Sequence, residues 1–338
     1  MKLSNKQDAS ARRVRRRERV LKTIGVLPSL ATLGNLSCGL GAIYLCLLHS
    51  QAFALKISEP QIGGPRITSL LPSFAAAAGF LLILAMCFDG IDGRLARLAR
   101  KTTEFGAQLD SLADVVSFGV APAFMVLCIA QPATFVGMSD ISFPVIIYWR
   151  AEWVMAAIYV CCAALRLARF NVENEEDESA HMEFRGLPTP GAAGAVIGLV
   201  ICQQGLRSEF GEVVYHILGR AMPVYVLLLG LLMVSPFRYP HMVNAVLRSR
   251  RPFWQVVTLA MGVLVGFVLQ FHITLCIVTS AYALAGPFNA AMYRIRGKPQ
   301  PKGADELEPA FSGPDETFED EEEPELHEEG GESTRHSA

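Results

Sequence analysis

The feature that most restricts what this chain can fold into is its succession of long apolar stretches. A helix that crosses the hydrocarbon core of a bilayer needs about 20 mostly apolar residues. Stretches of that kind, bounded by charge or by Pro and Gly, run over 27–48, 70–88, 115–129, 145–165, 192–204, 217–234, 253–271 and 273–293. Those at 115–129 and 192–204 are short and are expected to begin deeper in their flanks. In lipid every backbone N–H and C=O must be paired within the protein, which leaves closed barrels or helices. Stretches this long predict helices: an all-α fold, a polytopic transmembrane bundle of about eight spans. Composition points the same way, since 51% of the residues are hydrophobic and the mean hydropathy is +0.33, too oily for an ordinary soluble domain.

A net charge of -2 conceals a separation of charge along the chain. Arg12, Arg13, Arg15, Arg16, Arg17, Arg19 and Lys22 precede the first apolar stretch. No clear small-residue cleavage site follows, so residues 1–26 read as a basic cytoplasmic arm ahead of an uncleaved first helix. Such an arm suits anionic headgroups, and no nucleic-acid partner is expected. With the arm inside, the inside connections carry Arg94, Arg97, Arg100 and Lys101, then Arg166, Arg169 and Arg185, then Arg238, Arg248, Arg250 and Arg251. The opposite connections are poorer in Lys and Arg, and that asymmetry predicts both termini in the cytoplasm. Residues 296–338 begin basic and turn Glu-, Asp-, Gly- and Pro-rich, reading as an acidic disordered tail. The eight cysteines lie in or beside apolar stretches without paired spacing, and the seven histidines are scattered, so neither disulfides nor a zinc site are expected.

The chemistry concentrates in Asp89-Gly90-Ile91-Asp92-Gly93-Arg94-Leu95-Ala96-Arg97 and in Gly106 through Asp114. Asp89 ends the second apolar stretch and Asp114 opens the third. Residues three or four apart share a helix face, so Asp89 projects with Asp92 and Asp110 with Asp114. The short connection between them brings the pairs face to face. A central Asp costs about 2.5–3.5 kcal/mol on insertion scales, so a cluster at the membrane boundary demands neutralisation. Capping or arginine pairing accounts for one pair but not for the full spacing. An all-oxygen cluster suits hard divalent cations, which could clamp a diphosphate. Gly93 and Ala96 leave room on the helix for a ligand to approach the backbone.

This arrangement resembles the CDP-alcohol phosphatidyltransferase family. Its signature D-x-x-D-G-x-x-A-R, eight residues, then G-x-x-x-D-x-x-x-D is met at Asp89, Asp92, Gly93, Ala96, Arg97, Gly106, Asp110 and Asp114. The resemblance implies a six-helix catalytic core, usually dimeric, with a polar cavity open to the cytoplasm. It implies two divalent ions, Mg²⁺ or Mn²⁺, on the four aspartates, with Asp114 as general base. It places Gly93, Ala96 and Arg97 at a CDP-diacylglycerol donor, with Thr103 adding a hydroxyl. Ser29, Thr32 and Asn35 on the first span resemble the family's nucleotide-reaching segment; interhelical hydrogen bonding is their alternative role. The core is expected over 27–235, with two further transmembrane helices in 236–295.

Three stretches resemble the serine-accepting branch of the family: Asp110 to Pro122, Leu165 to Asn171, and Phe184 to Pro190. L-serine carries a carboxylate, for which a guanidinium is the better bidentate partner. Arg166 and Arg169 are the candidates, positive-inside anchoring being their other reading. Phosphate-bearing acceptors would ask for more cationic groups, and choline for an aromatic cage. A cation transporter with intramembrane carboxylates is the rival from another class. It would call for an internal repeat, and the sequence shows none.

Overall fold

The computed structural model describes residues 2–55, 57, 71–99, 104–130, 143–176, 184–239 and 253–296; the side chains of 2–27 and 96–99, with a few others, lie outside that description. The acidic tail, Thr103 and Arg100 fall outside the described residues.

Helix α1 runs Lys2–Ala54, of which Pro28–Ala54 is long and apolar enough to cross a membrane. Helix α2 is Phe74–Ala99. A continuous rod follows, made of α3 (Glu104–Asp114), a π-helical segment (Val115–Val120) and α4 (Ala121–Ala130). Helix α5 is Phe143–Glu176. A two-residue strand β1 (Phe184–Arg185) leads into α6 (Thr189–Val234), and β2 (Arg238–Tyr239) leaves it. Helices α7 (Phe253–Leu269) and α8 (Phe271–Ile295) complete the order.

The protein is a polytopic helical membrane protein. Seven of the described helical segments are long and apolar enough to span, one fewer than the eight stretches suggested. The difference is the stretch at 253–271, which becomes the 17-residue helix α7. At 1.5 Å per residue it is about 26 Å long, short of the roughly 30 Å hydrocarbon core. Gln270, with φ -144° and ψ 73°, then breaks the helix before α8. The short third and fifth stretches do extend into their flanks, giving spans Phe105–Ala130 and Thr189–Arg207.

Helix α6 has 46 residues. Unbroken, it would be about 69 Å long, more than two crossings of the hydrocarbon. It is folded at Gly211, whose φ of 77° lies in the left-handed region open to glycine. Its two limbs run back along each other, and Gln203 Nε2 donates to Tyr215 O at 2.9 Å across the fold.

Close helix approach rests on small residues, as expected where lipid gives helices no hydrophobic push together. Gly39 faces the Cα of Ser117, Gly79 faces Ile201, and Gly230 faces the Cα of Tyr159, each so tightly that a Cβ would come within 3.0 Å. Ala42, Ala75, Ala78, Ala163, Ala192, Ala193 and Ala195 are buried in the same core. Leu40, Tyr44, Leu84, Trp153, Leu228 and Leu264 face outward, as lipid contact requires.

At one end, β1 and β2 pair antiparallel, Phe184 opposite Tyr239 and Arg185 opposite Arg238. Gly186 N donates to Phe237 O at 2.8 Å and Leu187 N to Leu232 O at 3.0 Å, tying the start of α6 to its end. Gly186 has φ 82°, and any Cβ there would strike the Met233 carbonyl oxygen.

Candidate active site

Three helices build the acidic cluster. Helices α1 and α2 are antiparallel neighbours: Gly41 meets Leu81 and Gly34 meets Phe88, so Thr32 comes level with Asp92. Helix α1 and the α3 rod run in the same direction, and Asn35 meets Asp114 as Gly39 meets Ser117. Asp89 and Asp92 on α2 and Asp110 on α3 therefore converge beside α1.

Asp89, Asp92 and Asp110 each present a carboxylate oxygen within 4.8 Å of the others. Asp114 stands outside that trio but within electrostatic reach of Asp89, Asp110 and Asp92. The partners that α1 supplies are neutral. Thr32 Oγ1 lies 3.0 Å from Asp92 Oδ2 and 3.1 Å from Pro28 O. Asn35 Nδ2 donates to Asp114 Oδ1 at 3.0 Å. Asp92 and Asp114 are buried, at 4% and 8% exposure, and one oxygen of Asp110 is buried with no hydrogen-bond partner. Several acidic groups this close repel strongly in a low-dielectric site, and neutral donors orient them without cancelling their charge. The residues thus fit a hard divalent cation in two respects: the donors are all carboxylate oxygens, and the Asp110 oxygen lacks the partner a buried polar atom requires.

The turn after Asp114 is π-helical, a form that recurs at functional sites. Its causes are local. Pro122 has no N–H to return to Phe118, and Ala121 N–H reaches back to Val116 O. The Phe118 carbonyl accepts instead the Tyr159 hydroxyl at 3.0 Å. Ser117, fully buried, donates to Asn35 O at 3.0 Å. Asn35 is therefore held at its carbonyl by the rod whose Asp114 it holds with its amide.

Helix α5 lies antiparallel to that rod. Asn171 Nδ2 donates to Ser111 Oγ at 2.8 Å, and Gly119 faces the Ala163 Cβ at 3.4 Å. Interpolation between these contacts sets Asp114 level with Ala168, so Arg166 and Arg169 bracket its depth. Arg166 Nη1 donates to Thr189 Oγ1 at 3.1 Å, and Arg169 is exposed.

Of the residues singled out from sequence, the structure joins Thr32 and Asn35 directly to the acidic cluster. Ser29 is half-buried one turn earlier on α1 and is not brought into either hydrogen bond. Gly93 is exposed and a Cβ there would meet nothing within 4 Å, so the cluster opens on this side. Ala96 and Arg97 lie on the last turn of α2 with their side chains outside the description. Sequence reasoning missed Ser111, Ser117, Tyr159, Asn171 and Thr189, which lock the frame around the site. Ser111 and Ser117 share the aspartate rod, and Asn171 and Thr189 fall in the other two stretches that resemble the serine-accepting branch, which were the available signals.

A family model described as CDP-alcohol phosphatidyltransferase matches residues 25–234. A Helicobacter pylori protein named CDP-diacylglycerol–serine O-phosphatidyltransferase is 35% identical over 164 residues, 48% of this chain and 60% of that protein. A Mycobacterium bovis protein of the same name is 33% identical over 190 residues, 55% of this chain and 51% of its own length. A Methanocaldococcus jannaschii protein, also so named, is 31% identical over 215 residues, 64% of this chain and 84% of its own. The chain thus spans 60% and 51% of the first two relatives, and more of the third.

Proposed function

Since this chain belongs to the CDP-alcohol phosphatidyltransferase family, we propose that it moves the phosphatidyl group of CDP-diacylglycerol to the hydroxyl of L-serine, giving phosphatidylserine and CMP. The observation that carries the reading is the trio of carboxylate oxygens on Asp89, Asp92 and Asp110 within 4.8 Å, beside an Asp114 held separately by Asn35. The names of the relatives support the donor and the acceptor. Serine-branch motifs enclose Asp114, Arg166 and Thr189.

Asp89, Asp92 and Asp110 would hold divalent cations, Mg²⁺ or Mn²⁺, with Asp114 completing the set if two ions bind. Bound cations supply charge neutralisation for the diphosphate and for the leaving phosphate. Asp114 acts as general base: its carboxylate accepts the serine hydroxyl proton as that oxygen bonds to the lipid-side phosphorus. The bond from that phosphorus to the oxygen bridging to CMP breaks, and CMP leaves with the bridging oxygen and its electron pair. Asn35 fixes the rotamer of the base, and Thr32 fixes Asp92. Arg97 on the last turn of α2 meets the diphosphate, the exposed face at Gly93 admits the nucleotide end of the donor, and Ala96, Thr103 and Ser29 extend the contact. Arg166 and Arg169, bracketing the depth of Asp114, take the serine carboxylate.

The same reading sets the catalytic core at 27–235, with 236–295 as two added helices and 296–338 as a cytoplasmic tail. The site faces the cytoplasm with both termini, and the working unit is a homodimer. The test is purified protein given CDP-diacylglycerol with serine, glycerol 3-phosphate, inositol or choline in separate reactions, with and without EDTA. Phosphatidylserine and CMP in equal amounts, lost on chelation and restored by Mg²⁺ or Mn²⁺, is expected. Product with another alcohol only would remove serine as acceptor, and absence of CMP in every reaction would remove the donor chemistry.

A further inference from the structure

Helix α8 lies beyond the segment that the family model matches, which stops at residue 234, yet it returns to the level of the carboxylates. Its register against the first limb of α6 is fixed by four contacts. Measured from where a Cβ would stand on each glycine, His272 meets Gly205 at 2.7 Å, the Cys276 Cα meets Gly198 at 3.2 Å, Thr279 meets Gly194 at 3.8 Å and the Tyr282 ring meets Gly191 at 2.7 Å. The same limb carries α2 on another side, where Ile201 meets Gly79 and Met86 meets Gly194. Both pairings run antiparallel, so continuing the second by one turn sets Asp89 level with Gly191 and hence with Tyr282. From α5, Arg166 reaches Thr189, two residues before Gly191. Asp89, Asp114, Arg166, Thr189 and Tyr282 therefore occupy one depth of the bundle.

The Tyr282 ring is held on two sides. It packs on Gly191, and it meets the Tyr239 ring at 6.1 Å between centroids, tilted by 58°. Tyr239 is itself anchored, its hydroxyl donating to Ala283 O at 2.9 Å. A phenol held by its ring loses little freedom when its hydroxyl binds a ligand. Arg166 is oriented in the same way by Thr189.

We propose that Tyr282 is a specificity-determining residue for the acceptor, its hydroxyl donating a hydrogen bond to the carboxylate of serine beside the Arg166 guanidinium. The inference rests on the phosphatidyl-transfer reading above and adds to it a wall supplied from outside the family core. The phenol adds a neutral donor beside the guanidiniums of Arg166 and Arg169, so it enlarges the donor set for a carboxylate without adding the further positive charge that a phosphate dianion asks for.

Tyr282→Phe keeps the ring packing and removes the hydroxyl alone. With purified full-length protein and CDP-diacylglycerol, the loss of a hydrogen bond to a charged group should raise the KM for serine by about tenfold. The KM for CDP-diacylglycerol and kcat should stay within about twofold, and the preference for serine over ethanolamine, which lacks the carboxylate, should fall by the same factor as serine binding. Gly191→Ala, which pushes against the ring, should shift serine KM in the same direction. An unchanged serine KM in Tyr282→Phe, with wild-type protein making phosphatidylserine, overturns the role of Tyr282 and leaves the transfer reading standing. A rise in both KM values with a lowered melting temperature makes the hydroxyl structural and likewise overturns it. Wild-type protein that makes no phosphatidylserine overturns both.

Discussion

Replacing Asn35 with Ala isolates the positioning of the proposed base. The amide donates to Asp114 Oδ1 at 3.0 Å, and both residues are buried, Asn35 completely. A hydrogen bond to a charged group contributes about 1.5–3 kcal/mol. If the bond sets the rotamer from which Asp114 takes the proton, its loss appears in the transition state, and at 1.36 kcal/mol per factor of ten kcat falls by about 10- to 150-fold. The Ser117 bond is unaffected because it goes to the backbone carbonyl of Asn35, so the α1 contact with the rod survives. Thr32→Ala is the matched comparison. Asp92 keeps a backbone hydrogen bond from Gly93 when Thr32 is lost, so the drop should be only severalfold. Steady-state CMP release at saturating CDP-diacylglycerol, serine and Mg²⁺, with thermal melts of each variant, makes the comparison. Equal losses in the two variants, or a kcat for Asn35→Ala within twofold of wild type, would refute the argument that Asn35 acts through the base.

Asp114→Asn should abolish turnover while leaving the melting temperature within a few degrees, as read by CMP release and by fluorescence melts in detergent. Asp110→Asn removes a ligand from the carboxylate trio, and the Mg²⁺ concentration for half-maximal rate should rise by tenfold or more, read from a metal titration. Gly39→Ala places a methyl against the Ser117 hydroxyl and 3.0 Å from its Cα; overpacking of that kind costs about 1–3 kcal/mol, so the melting temperature should fall. Tyr159→Phe strips the Phe118 carbonyl of its hydroxyl donor in a fully buried place, costing about 1–3 kcal/mol. Loss of stability with kcat retained at low temperature would show that the Tyr159 bond supports the π-helical segment without entering the chemistry.

The spans and the acidic cluster were legible from the chain because both are local patterns. Apolar length predicts a helix wherever lipid denies the backbone its water, and a three- or four-residue step between aspartates puts them on one face whatever the rest does. Thr32 and Asn35 could be proposed from the first span, but their choice of Asp92 and Asp114 as partners could not. The break between the last two stretches, read near residue 271, was legible as well and falls at Gln270; what apolar length did not show is that the described α7, with 17 residues, stops just short of a full span.

By itself the sequence determined that this protein lives in a membrane as helices and carries its charge cost at one helix pair, because hydropathy and periodicity act over a few turns. Tertiary structure decided which carboxylates share a cation-sized space, which donor holds the fourth, and that a tyrosine from the last helix reaches their level. Those outcomes depend on axial register between helices far apart in the chain, set by where a glycine lets one backbone come close to another.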